Sequence, residues 1–168
     1  MTSADEQSRQ QTLDRVYELA FGYERDYGYC AQCVLAAIQE VLGVGTDETI
    51  KASQALAGGG GLSGAGTCGA LAAALLAVGA KYGREHSEFG GDPHLQSSAL
   101  GKRVVDSFVE LYGSPLCGCV QTQLMGRSFD MWDRADYKAF LAAGGHTDKC
   151  TGVAGTAARM AAELLLDS

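Results

Sequence analysis

Four of the six cysteines stand where a helix should begin. Cys30 opens the stretch CAQCVLAAIQEVL, and Cys68 follows Thr67 at the end of a glycine run. Cys117 comes just after Ser114-Pro115, and Cys150 just after Asp148. A helix N-terminus carries roughly half a positive charge and free N–H donors, which favour thiolate over thiol. Thiolate is the form that ligates metals and attacks disulfides. Residue type and placement together predict a thiolate site, built either for a metal cluster or for reversible disulfide chemistry. Cys33 and Cys119 are secondary candidates, since Cys30 and Cys33 form a C-x-x-C pair and Cys117 and Cys119 a tighter C-x-C. His146, four residues before Cys150, is a third, able to supply a ligand or a proton. His86 and His94 flank a polar loop and read as solvated. Asp130 and Asp133, beside Trp132, read as a helix start, and spacing defines neither a Ser-His-Asp set nor a carboxylate pair.

The segment GGGGLSGAGTCGA at 58–70 carries the strongest local signal. Its GAGTCG fits the G-x-G-x-x-G pattern of dinucleotide sites, but that pattern must follow a buried strand, and here QALA continues a helix. No Lys-Ser or Lys-Thr follows, so a phosphate loop is not indicated either. Glycines permit a backbone to wrap closely around a guest and turn N–H groups inward, which suits an anion such as the sulfur of a cluster. Gly66, Thr67 and Gly69 are the candidates for that contact. Gly69, Ala73 and Ala77, four apart, form a small-residue face suited to close helix packing.

The elements that must position these groups are helical, because apolar spacing of three and four recurs and no alternating pattern does. The spacing predicts helices over 4–26, 30–42, from Thr46 as N-cap, over 68–82 with Thr67 as cap, 96–112, 117–125 and 134–142. A last helix is predicted from Cys150, capped by Asp148. On the fifth helix Leu100, Val104, Val105, Phe108 and Leu111 are expected to face inward. The fold class predicted is all-α: one compact helical bundle over 1–168, with a glycine-rich loop before a central helix and 1–27 forming an N-terminal helix.

A chain of 168 residues with 46% apolar content can bury a sizeable core. Its net charge of −7 argues against nucleic acid or an anionic membrane as main partner. The polar start MTSADEQSRQQT lacks an apolar export core, and the longest apolar run, 70–80, is about half a membrane span. A cytoplasmic location is expected, where cysteines are free, metal-bound or redox-active rather than structural disulfides.

Taken together, Cys30-Ala31-Gln32 with Val34-Leu35, the GGGGLSGAGTCGA element, Tyr112-Gly113-Ser114 before Cys117, and Cys150 leading into the last helix resemble the C_GCAxxG_C_C family of putative redox-active proteins. The resemblance covers the chain from about residue 28 onward, with Ala73 at the second glycine of CGAxxG. It implies that Cys30, Cys68, Cys117 and Cys150 are the family's four cysteines. It also implies a likeness to the iron–sulfur region of split-Soret cytochromes; no C-x-x-C-H for covalent haem is present.

Three functions stay open at this point. Four thiolates are the ligand set of a [2Fe–2S] or [4Fe–4S] cluster for electron transfer or redox sensing. The pairs Cys30/Cys33 or Cys117/Cys119 would serve a metal-free thiol–disulfide protein. Two cysteine pairs would also suit a zinc-stabilised interaction domain. A redox partner protein of unidentified kind is expected, and the alanine- and glycine-rich helix surface is compatible with a homodimer.

Overall fold

The computed structural model describes residues 3–167, and among them eight α-helices account for nearly all regular structure. They are α1 (Ser3–Tyr27), α2 (Cys30–Leu42), α3 (Asp47–Ala52), α4 (Gly69–Tyr82), α5 (Leu95–Tyr112), α6 (Cys117–Met125), α7 (Arg134–Ala142) and α8 (Cys150–Leu166). The only β pairing among the described residues is an isolated antiparallel bridge between Thr67 and Leu116. The all-α bundle expected from helical spacing is the observed architecture.

The centre is a four-helix arrangement in which α8 packs along α1, α4 and α2. Alanine makes this possible. Ala70, Ala73, Ala74 and Ala77 on α4 and Ala154, Ala157, Ala158, Ala161 and Ala162 on α8 are all fully buried. Small side chains let helix axes approach closely, while Leu13, Val16, Leu35, Ile38 and Leu71 fill the remaining volume. The expected small face of Gly69, Ala73 and Ala77 lies wholly inside this core. At Gly155 an added Cβ would stand 2.8 Å from the Tyr17 ring, so α1 and α8 touch where one of them has no side chain.

α5 leans on α4 and α8 through Val104 and Phe108. Leu111, expected to face inward, is 52% exposed, and Tyr112 is buried in its place. The helix face is thus rotated by one residue at its last turn, where the Tyr112 ring packs tilted against Phe108, 4.7 Å between centroids.

Two expected caps are not the caps observed. Cys68, not Thr67, occupies the N-cap of α4, because the Cys68 N–H donates to Pro115 O at 2.7 Å and extends the backbone there. Asp148 does not cap α8 but pairs with Lys149 at 3.0 Å. A five-residue π turn, Gly145–Lys149, instead feeds directly into α8, and Gly144 O accepts from the N–H groups of Thr147, Asp148 and Lys149. Thr46 and Asp133 cap α3 and α7 through their side chains, as the sequence suggests.

Candidate cysteine site

Cys30, Cys68, Cys117 and Cys150 line one cavity of about 490 Å³. They arrive from four separate helix starts. The turn between α1 and α2 is made by two left-handed residues, Gly28 (φ 70) and Tyr29 (φ 60), and delivers Cys30 as the first residue of α2. Left-handed backbone is uncommon outside glycine and clusters at functional sites, so Tyr29 marks a turn that the surroundings hold in place.

Cys68 and Cys117 are brought together by the isolated bridge. Cys68 N–H donates to Pro115 O, Cys117 N–H to Gly66 O at 2.9 Å, and Gly118 N–H to Gly64 O at 2.8 Å. Here the glycine run has a different role from the one its composition suggests. Gly58 N–H turns to Cys30, but the N–H groups of Gly60, Gly61, Gly64 and Gly66 donate to backbone carbonyls of the loop or of the turn before it, Gly64 to Gly58 O and Gly66 to Gly59 O. What the glycines provide is proximity. A Cβ on Gly69 would meet Cys30 Sγ at 2.7 Å, and one on Gly59 would meet Cys117 Cβ at 2.9 Å. At these two positions the backbone lies so near a cysteine that there is space for nothing larger than hydrogen.

Of the three backbone contacts expected for a cofactor, Gly69 lies against Cys30, whereas Gly66 and Thr67 line a separate surface groove with Leu75 and Gly79. Of the secondary candidates, His146 lines the cysteine cavity. Cys33 does not; its thiol donates to Gly28 O at 2.9 Å and lines a neighbouring groove with Tyr23, Tyr27 and Tyr29. Cys119 is exposed and lines none of the cavities described here.

Two residues of the site escape the sequence reading. Glu24, on α1, is 3% exposed yet lines the cavity. Its Oε1 lies 3.4 Å from His146 Nδ1, an ion-pair contact, and both Oε2 and His146 Nδ1 are buried with no hydrogen-bond partner. Gln121, one turn after Cys117, points its Nε2 at Cys117 Sγ from 3.8 Å, and its Oε1 accepts from Phe129 N–H. The i, i+4 spacing from Cys117 is a signal that would have found Gln121. Glu24 had no such signal, since an acid on an amphipathic helix normally reads as solvated.

The electrostatics differ from the electropositive pocket that helix starts predict. The N–H groups of Ala70 and Leu71 favour the Cys68 thiolate without completing a capping hydrogen bond, and Gly58 N–H does the same for Cys30. Cys150 has no such donor, because the π turn already occupies the helix start and the Cys150 N–H donates to Gly145 O. Burial outweighs these aids everywhere. Desolvation, with Glu24 adding its charge, raises all four thiols, Cys30 and Cys150 well above the ordinary cysteine range and Cys117 to about 12. His146 is pulled the other way, raised by its contact with Glu24.

Four buried thiols beside a carboxylate become thiolates together only when a cation supplies the opposing charge. Four soft sulfurs at helix ends around one cavity are the ligand type that iron–sulfur clusters and zinc share. Among the described residues no three Cys, His, Asp or Glu side chains are grouped so as to hold a metal ion.

Residues 28–164 match the model of a protein family described as "Putative redox-active protein (C_GCAxxG_C_C)". Neither a curated protein nor a solved structure matches the chain. Among the described residues no helix is long and apolar enough to cross a membrane.

Proposed function

Because the chain belongs to the C_GCAxxG_C_C family, described as putative redox-active proteins, we propose that Cys30, Cys68, Cys117 and Cys150 hold an iron–sulfur cluster for electron transfer or redox sensing. The observation that carries this reading is the meeting of four sulfurs, from positions spread over 120 residues, around one cavity. When bound, the cluster supplies a one-electron couple. The chain's own residues do the rest. The bridge at Thr67–Leu116 fixes Cys68 beside Cys117, and the two left-handed residues at 28–29 aim Cys30. The N–H groups of Ala70 and Leu71 partly offset negative charge at Cys68. Gln121 offers a hydrogen-bond donor toward Cys117 Sγ, a contact of the kind that tunes a cluster potential.

The thiol–disulfide reading is weaker on two counts. Its proposed pairs are split, since Cys33 and Cys119 lie away from the cavity. Thiols raised by burial are also poor nucleophiles at neutral pH.

Purification without oxygen is the test. Iron and acid-labile sulfide in a fixed ratio to protein, lost in Cys68→Ala, support the cluster. A colourless, iron-free chain that folds unchanged and is insensitive to Cys68→Ala refutes it.

A further inference from the structure

Exposed aromatic rings gather at the mouth of the cysteine cavity. Among the described residues five Phe, Tyr or Trp side chains are exposed, and three of them, Tyr27, Tyr29 and Tyr137, line this cavity. Trp132 joins them at the rim. It follows Met131, which lines the cavity, and its Nε1–H donates to Gly61 O at 2.9 Å, next to Leu62 in the cavity wall. Tyr27 is 75% exposed and Trp132 76%, so both rings stand largely in solvent. Exposed aromatics gathered on one patch mark a contact surface, whereas single ones scattered over a protein do not.

The patch carries projections and a hollow together. Tyr27, at the end of α1, and Trp132, just before α7, flank a cavity of about 490 Å³. A two-fold contact sets one patch against itself, so it needs knob and hole on the same face. It also needs a neutral face, because like charges otherwise meet across the axis. The mouth meets that condition. Arg25 and Asp26 in the cavity wall pair at 2.8 Å, and Glu24 lies 3.4 Å from His146. Residues 127–138, which carry Trp132 and Tyr137, hold three bases and three acids, with Arg127 bonded to Asp136. The net charge of −7 therefore falls almost wholly on other surfaces, which repel a second copy. A foreign partner steered by charge finds no single-sign field at this mouth.

We propose that the mouth of the cysteine cavity is the contact face of a homodimer, with Tyr27 and Trp132 of each copy seated against the mouth of the other. The contact covers the aromatic rim and closes both cavities to solvent. It goes beyond the cluster reading and does not depend on what the cysteines hold.

Sedimentation equilibrium of the full chain as purified, at micromolar concentration, should give twice the 17.5 kDa of one chain. Tyr27→Lys and Trp132→Lys, each checked for folding by circular dichroism, should weaken the dimer about tenfold or more, as loss of an aromatic anchor does. Leu76→Lys, on the alanine- and glycine-rich face of α4 away from the cavity, should leave it intact. Trp132 is the only tryptophan, so acrylamide quenching of its fluorescence should rise as dilution separates the copies. A chain that stays monomeric overturns the proposal. So does a dimer that survives both mouth variants, one that Leu76→Lys dissolves, or one that dissociates with no change in quenching. Iron and sulfide measured on the same material test the cluster separately. An iron-free dimer keeps this contact and loses the cluster, whereas an iron-loaded monomer does the reverse.

Discussion

Gly69→Ala tests whether the glycine after Cys68 is there to admit the Cys30 sulfur. The added methyl would stand 2.7 Å from Cys30 Sγ and 2.9 Å from both Ala57 Cα and Leu56 O. The sulfur can swing aside, but the two backbone atoms cannot do so cheaply. Overpacking of this kind costs about 1–3 kcal/mol. Alanine returns up to about 1 kcal/mol through helix propensity, and less at the first helical position. The net expectation is a loss of about 1–2 kcal/mol, or about 2–8 °C in Tm for a chain of this size. Gly79→Ala, on the same helix, is the control. Nothing lies within 4 Å of its added Cβ, so propensity acts alone and Tm should rise by about 2–4 °C. Thermal unfolding followed by circular dichroism reads both variants, and the opposite signs are the result to look for. If both substitutions raise Tm alike, the steric account of the glycine loop is wrong.

Cys33→Ala and Cys119→Ala should retain iron, because neither side chain lines the cavity; loss of iron in Cys33→Ala equal to that in Cys68→Ala would show that the quartet is wrongly chosen. The metal-free chain should lose stability in urea as pH rises above about 9. Unfolded thiols ionise near that value, whereas Cys117 holds its proton to about 12, so alkali favours the unfolded state across that window. Glu24→Gln should lower the His146 pKa measured by NMR, since Glu24 is the main cause of its rise. The stabilisation from that pair is full below the ordinary histidine value and fades as pH climbs through the raised one, so the variant should lose most stability on the acid side. Gln121→Ala should shift the reduction potential of the loaded protein while leaving its iron content unchanged, because the amide donates toward Cys117 Sγ and is not one of the four proposed ligands.

Helix limits were legible because they are written locally. Gly43 stops α2, Thr46 and Asp133 cap α3 and α7, and Pro115 precedes α6. The two mistaken caps have different causes. Pro115 O, distant in the chain, claimed the Cys68 N–H, whereas before α8 a local π turn already occupies the helix start, with Cys150 N–H donating to Gly145 O. Leu111 and Tyr112 exchanged places because the Phe108 ring favours an aromatic neighbour inside. At the site, the placement of Cys68 and Cys117 at helix starts could be read from neighbouring residues. The Glu24–His146 contact could not, since it joins residues more than a hundred positions apart on an otherwise ordinary amphipathic helix and an irregular turn. The thiol chemistry was misjudged for the same reason, because burial is a property of the whole fold and no local cap reports it.

Of the eight helices described, α8 follows the other seven in the chain, yet it brings Cys150 and forms the central packing partner of α1, α2 and α4. A growing chain therefore displays Cys30, Cys68 and Cys117 with neither their fourth companion nor the scaffold that holds them in place. The four-cysteine cavity is thus a property of the chain once α8 has docked, and on the cluster reading loading follows that step.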